Sequence, residues 1–269
     1  MTRVLRFVLI LIPILYLVVC AAMWMFQERL LFPTWLVTAS APLPPGGERL
    51  SVTAPDGVAL EGIYLPPREG QGGDALLLAF AGNATNAQAL AERLRIAFPE
   101  HPIAAFHYRG YAPSGGTPAA EAMAADAPLA FDLLAARYRP RRIVAIGVSL
   151  GSGIASSLAA QRPLAGLILV TPFDSLKNVA RQVYWWLPVP LLMRHDVDAA
   201  AALRGRDIPV AIVAAAEDSL VRPERTQALR DALANLRHDA MLDGADHASI
   251  FGHPGFDPAL RQALASLSR

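Results

Sequence analysis

The sequence has little cysteine, and it lacks the short motifs that bind metals and phosphates. Cys20 is the only cysteine among 269 residues, so no intramolecular disulfide can form. No cysteines and histidines stand at zinc-binding spacings, and neither GxGxxG nor GxxxxGK[ST] occurs. We therefore expect no metal and no other cofactor, and any chemistry falls to ordinary side chains.

The sequence also lacks an excess of charge of either sign. Its 24 Lys and Arg residues nearly balance 23 Asp and Glu residues, which leaves a formal charge of +1 at pH 7. This balance excludes the strongly basic surface by which many proteins bind nucleic acid. The densest basic cluster, within residues 137–142, falls where a loop is expected to enter a strand, and a solvated loop accounts for it. We expect no nucleic-acid partner.

Apolar residues are abundant, and many of them stand in one N-terminal run. They make up 54% of the chain, and the mean hydropathy is +0.33. From Phe7 to Phe26 there are 20 residues without a charge. As a helix this run is about 30 Å long, which matches the hydrocarbon core of a bilayer. Pro13 is tolerated in such a helix, and Trp24 lies near one end, where an interfacial aromatic is expected. The run predicts a transmembrane helix.

The charges that flank this run predict its orientation. Arg3, Arg6 and the terminal amine precede the run, and only Arg29 follows it closely. By the positive-inside rule, the N-terminus is expected in the cytoplasm and the rest of the chain on the other side. We predict a single-pass membrane protein whose anchor and interface comprise residues 1–32.

A cleaved export signal is the alternative to this anchor. Cys20-Ala21-Ala22 offers small side chains for a cleavage site, but the apolar run continues past them to Phe26. A lipoprotein signal that ends at Cys20 calls for a small residue before the cysteine, and Val19 is branched and bulky. We favour the uncleaved anchor over export after cleavage.

Strand and helix patterns alternate beyond a tether at residues 33–48 that is rich in proline and small residues. An irregular stretch at residues 172–207 interrupts this series. The alternation predicts an α/β fold for residues 49–269, with a mostly parallel central sheet and helices on both faces. The predicted strands are residues 49–54, 58–65, 75–81, 102–108, 142–148, 166–171, 209–215 and 237–242, and the predicted helices are 86–98, 118–138, a helix from 150, 223–236 and 256–268.

The sharpest motif is a G-x-S-x-G at residues 147–151, between a buried-strand pattern and a helix pattern. A serine hydroxyl is a weak nucleophile, so enzymes present it on a tight strand-to-helix turn with a base nearby. Flanking glycines let the neighbouring backbone approach that turn. Five such letters also occur by chance in glycine-rich turns, but the strand and the helix on either side favour a nucleophile. Ser149 is the candidate.

Seven short stretches between Gln27 and the C-terminus extend this observation over most of the chain. They are QERLLFP (27–33), FAGNATN (80–86), YRGYAPSGG (108–116), GVSLG (147–151), TPFDSL (171–176), EDSLVRP (217–223) and GADHASI (244–250). In these stretches and in their order, the chain resembles the α/β hydrolases, closest to the membrane-anchored group of acyl-protein depalmitoylases and lysophospholipase-like enzymes. The resemblance implies an α/β-hydrolase fold and a serine-hydrolase activity, and it says little about the substrate.

The resemblance implies a general base and an acid that serve Ser149. The family places a histidine in a loop after the last strand, and His247 fits that position. It would take the serine proton and return it to the leaving group. The nearest competitor, His253, lies at the entry to a helix, where we expect a surface role. The acid follows the strand predicted at 209–215, and the register of EDSLVRP selects Asp218.

Two other carboxylates compete with Asp218 for the role of the acid. Glu217 is adjacent, but the register of the family's turn favours Asp218. Asp174 follows the strand predicted at 166–171, where some relatives carry their acid. We favour a different role for Asp174, which is to cap the helix that begins near Leu176.

An oxyanion hole needs two preorganised N–H donors. The residue after the nucleophile, Leu150, supplies one, and the family's register selects Asn83 for the other. The sequence departs from the family here, because Ala81 precedes Gly82 where relatives usually have His-Gly, and Thr85 replaces a second glycine. That histidine mainly braces the loop, so its loss bears on the geometry of the loop rather than on the reaction.

The stretch 172–207 occupies the position of the family's cap, and its roughly 35 residues are too few for a deep, enclosing lid. Residues 184–193 (YWWLPVPLLM) are apolar and aromatic. They suit an acyl pocket or contact with the bilayer, and the alternative is a small cap that packs on the core. We lean towards the acyl pocket, because the anchor and the cap would then both serve to bring acyl chains to the site.

These residues together predict acyl transfer to water by a Ser149–His247–Asp218 triad. An ester or thioester of a small-molecule or lipid-like acyl group is the expected substrate, because the anchor keeps the site near lipid, an argument by analogy. A peptidase or amidase of the same fold is one alternative, although no acidic cluster for an α-amine is recognisable. A catalytically inactive membrane scaffold is another, and the intact order of the three residues argues against it.

Overall fold

An eight-stranded sheet forms the centre of the computed structural model, which describes residues 3–68 and 72–268. The strand order is β1-β2-β4-β3-β5-β6-β7-β8. β2 runs antiparallel to β1 and to β4, and every other pairing is parallel. The strands are β1 (Glu48–Thr53), β2 (Ala59–Leu65), β3 (Ala75–Phe80), β4 (Ile103–Phe106), β5 (Arg142–Val148), β6 (Gly166–Val170), β7 (Val210–Ala215) and β8 (Leu236–Leu242).

Helices cover both faces of this sheet. α2 and α9 pack on each other and on the strands, and α3 and α4 do the same in a second layer. Because the central strands are covered twice, β3, β6 and β7 are buried at every position and consist almost wholly of apolar residues. The helices are α1 (Arg3–Leu31), α2 (Ala87–Ala97), α3 (Ala120–Tyr138), α4 (Leu150–Ala159), α5 (Leu176–Val183), α6 (Val189–Leu192), α7 (Ala199–Leu203), α8 (Pro223–Arg230) and α9 (Phe256–Ser266).

The stretch 172–207 was predicted to be irregular, and the structure corrects this: it contains the three short helices α5, α6 and α7. Ser175 caps α5 by accepting from the Asn178 N–H at 3.1 Å, and Asp198 caps α7 by accepting from the Ala201 N–H at 2.7 Å. α6 and α7 have four and five residues, which is too short for a periodic apolar stripe to reveal them. α5 has eight residues, and its apolar residues Leu176, Val179, Ala180 and Val183 stand at helical spacing, a signal that the prediction overlooked.

The helix predicted at 223–236 is also shorter than expected and ends at Arg230. The chain leaves the helix because the next residues must join the sheet. The Asn235 carbonyl accepts from the Val210 N–H at 3.0 Å, and β8 begins one residue later. The other predicted strands and helices lie within a few residues of the observed ones.

The first helix, α1, is a candidate membrane span among the described residues. Its side chains from Val4 to Val18 are exposed, and only Cys20 and Gln27 are buried. After a short 3-10 turn at Thr34–Leu36, the chain runs along the start of α2. There the Asn86 amide donates to the Thr38 carbonyl at 2.8 Å. This contact holds the segment that leads from α1 to the sheet.

Candidate active site

Ser149 lies on a sharp turn between β5 and α4, at the carboxyl end of the parallel strands. Its φ of 49° and ψ of −115° are unfavourable for a residue with a side chain, so the turn stores strain, as at many reactive centres. A Cβ on Gly147 would collide with the backbone of Gly151, and one on Gly151 would collide with the Phe80 carbonyl. Both glycines are therefore required by close backbone approach.

The structure brings the three predicted triad residues together. The His247 Nε2 lies 3.0 Å from the Ser149 Oγ, and the His247 Nδ1 lies 2.7 Å from an Asp218 carboxylate oxygen. Asp218 follows β7 and His247 follows β8, so both come from loops at the carboxyl edge where Ser149 lies. An ionised carboxylate only accepts, so Nδ1 carries the proton and leaves Nε2 to accept from the serine hydroxyl.

The Asp218 carboxylate is held by its own turn. Its side chain is buried, with the residue 5% exposed. Its Oδ1 accepts from the backbone N–H groups of Leu220 and Val221 at 3.0 and 2.7 Å. Because these bonds occupy one oxygen, the other oxygen points at His247. The turn therefore fixes the orientation of the imidazole.

The loop that carries His247 is organised by Asp246, which the sequence analysis did not single out. The Asp246 Oδ1 accepts from the N–H groups of Ala248 and Ser249 at 2.9 and 2.7 Å. The Ser249 Oγ accepts from the Asp246 N–H in return at 3.0 Å. Hydrogen bonds to the carboxylate, first from Ser249 and then from the Ala248 N–H, lower the pKa of the Asp246 carboxyl. The Asp-x-x-Ser spacing was the signal for this turn.

The residues that were weighed as alternatives to Asp218 and His247 lie elsewhere and make other contacts. Asp174 was expected to cap α5, and this prediction was wrong, because Ser175 is the N-cap. The Asp174 Oδ2 instead pairs with the Arg225 guanidinium at 3.0 Å and accepts from the Asn178 side chain at 2.7 Å. Glu217 is exposed. His253 hydrogen-bonds the Asp243 carbonyl at 3.1 Å, at the surface.

The two residues predicted to form the oxyanion hole, Asn83 and Leu150, both line the cavity that contains Ser149. Leu150 is the first residue of α4, so its N–H has no acceptor within the helix. Among residues 3–68 and 72–268, neither backbone N–H has a backbone acceptor. The oxyanion role of these two donors remains a prediction.

The loop after β3 is braced without the histidine that relatives usually carry. The Tyr108 hydroxyl donates to the Ala81 carbonyl at 2.8 Å, and the Tyr111 hydroxyl donates to the Asn83 Oδ1 at 2.6 Å. The Asn83 amide donates to the Leu31 carbonyl at the end of α1 at 2.6 Å. Burial raises the pKa of both tyrosine hydroxyls, so both remain donors at neutral pH. The hydrogen bonds from Tyr108 and Tyr111 thus hold the loop in place of the histidine that Ala81 replaces.

Removal of this brace gives a test. We expect Tyr111→Phe to lower kcat by about 2- to 10-fold, because one hydrogen bond contributes about 0.5–1.5 kcal/mol, and to leave KM nearly unchanged. Steady-state kinetics on a soluble ester measure both. The matched control is Tyr138→Phe, which removes a hydroxyl bonded to Glu48 on the surface. An equal loss in both variants would contradict a role for the Tyr111 hydroxyl in the site.

Comparisons with known proteins show what the whole chain is similar to. No protein-family model matches it. The uncharacterized protein Rv2307c of Mycobacterium tuberculosis is 33% identical over 232 residues, which cover 83% of this chain and 81% of that protein. The uncharacterized protein YfhR of Salmonella typhi is 27% identical over 231 residues, which cover 78% and 77%. The lysophosphatidylserine lipase ABHD12 of Danio rerio is 28% identical over 137 residues, 44% of this chain and 36% of that protein.

Solved structures share the fold. The Pyrococcus furiosus esterase Pf2001 superposes with a TM-score of 0.68 at 15% identity, over 86% of this chain and 96% of that one. An α/β serine hydrolase homologue from Coxiella burnetii gives a TM-score of 0.59 at 18% identity, over 84% and 98%. The chain therefore has the α/β-hydrolase fold. The predicted fold is thereby confirmed.

In this fold, Ser149 opens onto an apolar cavity of about 190 Å³. Its walls come from the end of α1, from the loop after β3, from α5 and from the turn after Asp218. Within residues 3–68 and 72–268, no group of three or more histidine, cysteine or acidic side chains is placed to hold a metal ion. The lining residues are Leu30, Leu31, Phe32, Asn83, Ser149, Leu150, Phe173, Leu176, Val179, Ala180, Val183, Tyr184, Leu220 and Val221.

A smaller apolar cavity of about 50 Å³ adjoins the first, between α1 and the cap. The two cavities share four lining residues: Leu30, Leu31, Ala180 and Tyr184. Much of the segment 184–193, which was expected to line an acyl pocket, lines this second cavity. Trp185 and Leu191 are different, since they are 82% and 84% exposed and line neither cavity.

The contribution of α1 to the site was missed by the sequence analysis. Leu30, Leu31 and Phe32 form part of the cavity wall. Gln27 is 6% exposed; its amide donates to the Leu192 carbonyl at 3.2 Å, and its Oε1 accepts from the Arg194 N–H at 2.8 Å. An uncharged polar residue directly after a long apolar run was the available signal for this contact.

Proposed function

We propose that this hydrolase cleaves the ester or thioester bond of an acyl substrate with water, through a covalent intermediate on Ser149. One observation carries the proposal. Asp218, His247 and Ser149 form a continuous relay with distances of 2.7 and 3.0 Å, and the relay ends at an apolar cavity. This geometry supports a nucleophile with its base and the acid that orients the base.

The steps follow from the positions of the atoms. His247 Nε2 takes the hydroxyl proton while Ser149 Oγ bonds to the carbonyl carbon, and the carbonyl oxygen becomes an oxyanion facing the N–H groups of Asn83 and Leu150. The tetrahedral intermediate expels the alcohol or thiol, which receives the proton from His247. Water then repeats the sequence, which releases the carboxylic acid and restores Ser149.

The lining of the cavities supports an acyl chain as the group that is transferred. Every described residue in the smaller cavity except Gln27 is apolar or aromatic, and none in either cavity is acidic. Such walls stabilise a hydrocarbon chain by about 0.8 kcal/mol for each CH₂ buried. An α-amine would find no carboxylate there, which disfavours the aminopeptidase alternative. The partial similarity to a lysophosphatidylserine lipase agrees with a lipid-like substrate.

A screen of esters of graded acyl length tests this proposal. We expect wild-type kcat/KM to rise with chain length. Ala180→Leu is expected to reverse that preference, because Ala180 lies between the two cavities, and the added carbons would block the passage. The overpacking is expected to cost about 1–3 kcal/mol in the free energy of unfolding, so the thermal midpoint is measured in parallel.

The control for this screen is Ala201→Leu, the same change at an exposed position of α7. It is expected to leave the dependence on chain length unchanged. No hydrolysis of any ester by the wild-type protein would contradict the proposed function. A preference that stays the same in Ala180→Leu would show that the acyl chain lies elsewhere.

We also propose that α1 is an uncleaved anchor and that the catalytic domain lies on the non-cytoplasmic side. The 29-residue helix with its exposed apolar surface supports a span, and Arg3 and Arg6 support the orientation. The protein is expected to remain with membranes after carbonate washing and to begin at Met1 or Thr2. N-terminal sequencing that starts near Ala21 or Met23 would show a processed export signal instead.

A further inference from the structure

The outer surface of the cap exposes large apolar side chains beside α1. Trp185 and Leu191 are 82% and 84% exposed, and Trp186 is 45% exposed. Trp185 and Trp186 lie in the turn between α5 and α6, and Leu191 lies in α6. Contiguous exposed apolar surface of this kind marks a site of interaction on a soluble domain. We call Trp185, Trp186 and Leu191 the cap tip.

The contact between the cap tip and α1 fixes its depth. The Tyr16 hydroxyl donates to the Trp186 carbonyl at 3.0 Å. Tyr16 precedes Phe26, the last residue of the uncharged run, by ten residues. At about 1.5 Å per residue, Trp186 therefore meets the helix about 15 Å inside the end of that run. This level lies within the hydrocarbon core if α1 spans the membrane.

The cap is held at this level by a continuous interface. Cys20 and Met23 pack in one apolar cluster with residues of α5 and α6. Further along α1, Gln27 bonds to the backbone on both sides of Met193. The Arg194 guanidinium lies 4.9 Å from the centroid of the Trp24 ring and 3.4 Å from the Glu28 carboxylate. These charged groups mark the expected level of the membrane surface, and Trp186 contacts α1 at Tyr16, deeper in the uncharged run.

We propose that the cap tip inserts into the leaflet on the side of the catalytic domain, with bilayer lipid as the partner of this surface. The continuity of the cap tip with the exposed apolar face of α1, from Val4 to Val18, selects lipid as the occupant. The smaller cavity lies between the cap and α1 at Met23 to Leu31, where the uncharged run ends. Given the proposed function, acyl chains reach Ser149 from the leaflet through this cleft.

Quenching of tryptophan fluorescence tests the insertion in the full-length protein reconstituted in phosphatidylcholine vesicles. One variant keeps only Trp185 (W24F/W35F/W186F), and the reference keeps only Trp35 (W24F/W185F/W186F). Trp35 is exposed in the turn after α1. We expect lipids brominated near the ends of their acyl chains to quench Trp185 strongly. They should quench Trp35 weakly. Unquenched Trp185, with the emission maximum of tryptophan in water, would overturn the proposal.

A second experiment removes the apolar surface and does not depend on folding of the triple variants. In Trp185→Glu/Leu191→Glu, a charge would have to enter the hydrocarbon. We expect hydrolysis of a long-chain ester embedded in vesicles to fall by about tenfold or more. Hydrolysis of a short, soluble ester should stay unchanged, because neither residue lines a cavity. The control is Ile96→Glu, an equally drastic change at an exposed residue of α2.

The outcomes separate this inference from the proposed function. Equal activity of the double variant and the Ile96→Glu control on embedded ester would overturn the insertion, even if the wild-type enzyme is active. Absence of activity on every ester would contradict the proposed function. The quenching of Trp185 would still show whether the cap tip inserts into the bilayer.

Discussion

Ser149→Ala is expected to lower the turnover of an acyl ester by roughly four to six orders of magnitude. Without the Oγ, no acyl-enzyme forms, and the remaining rate is that of water held near the oxyanion donors. The fold should survive, because the Ser149 side chain makes no capping hydrogen bond to α4, and within the described part of the chain it hydrogen-bonds His247 alone. Hydrolysis rates and the thermal midpoint are measured on the same preparation.

The matched control for this prediction is Ser157→Ala, a serine on the same helix that is not in the cavity. It should retain nearly full activity. A Ser149→Ala protein that keeps its thermal midpoint and more than a few per cent of wild-type turnover would show that another group is the nucleophile.

Asp218→Asn is expected to lower kcat by about four orders of magnitude, as tautomer reversal does in other triads. The Asn oxygen would accept from the Leu220 and Val221 N–H groups as the carboxylate does. The Asn amide would then donate to His247 Nδ1, which would place the proton on Nε2. A protonated Nε2 cannot accept from Ser149.

Asp174→Asn provides the comparison, because both aspartates are buried and follow neighbouring strands. Asp174 pairs with Arg225, so the change should act mainly on stability, at about 1–3 kcal/mol in the free energy of unfolding, and should lower kcat less than tenfold. Rates and midpoints are measured for both variants. If Asp174→Asn loses more activity than Asp218→Asn, the acid lies after β6.

The sheet and the strand-to-helix turn were predictable because their signals are local. The strands β3, β5, β6 and β7 are short apolar runs, and burial on both faces requires that pattern. The glycines around Ser149 are dictated by collisions within a few residues of the turn and with β3. The positions of Asp218 and His247 came from the resemblance, and the order of strands in the sheet explains why they meet.

The brace of the loop after β3 was not predictable, because it depends on contacts between distant segments. Asn83 bonds to Leu31 and Tyr111, which lie 52 and 28 residues away, and such pairs leave no periodic pattern. The helices α6 and α7 were missed for a different reason, because four or five residues are too few for a helical pattern. The error at Asp174 was a shift of one residue between two good capping residues.

The contact of α1 with the catalytic domain was not predictable either. Hydropathy predicted the helix, but an apolar run carries no mark of which face contacts protein and which contacts lipid. The buried side is visible only in the structure, at Cys20 and Gln27. Gln27 is the informative residue, because burial of an amide requires partners, and it finds them in the cap.

Peptide mapping of the full-length wild-type protein after reaction with a long-chain alkyl fluorophosphonate tests the central claim most directly. The account predicts one covalent adduct, on the Oγ of Ser149, and slower labelling when a long-chain acyl ester competes for the apolar cavity. No adduct on the peptide that contains GVSLG, or labelling that a long-chain ester does not slow, would contradict a Ser149 acyl hydrolase.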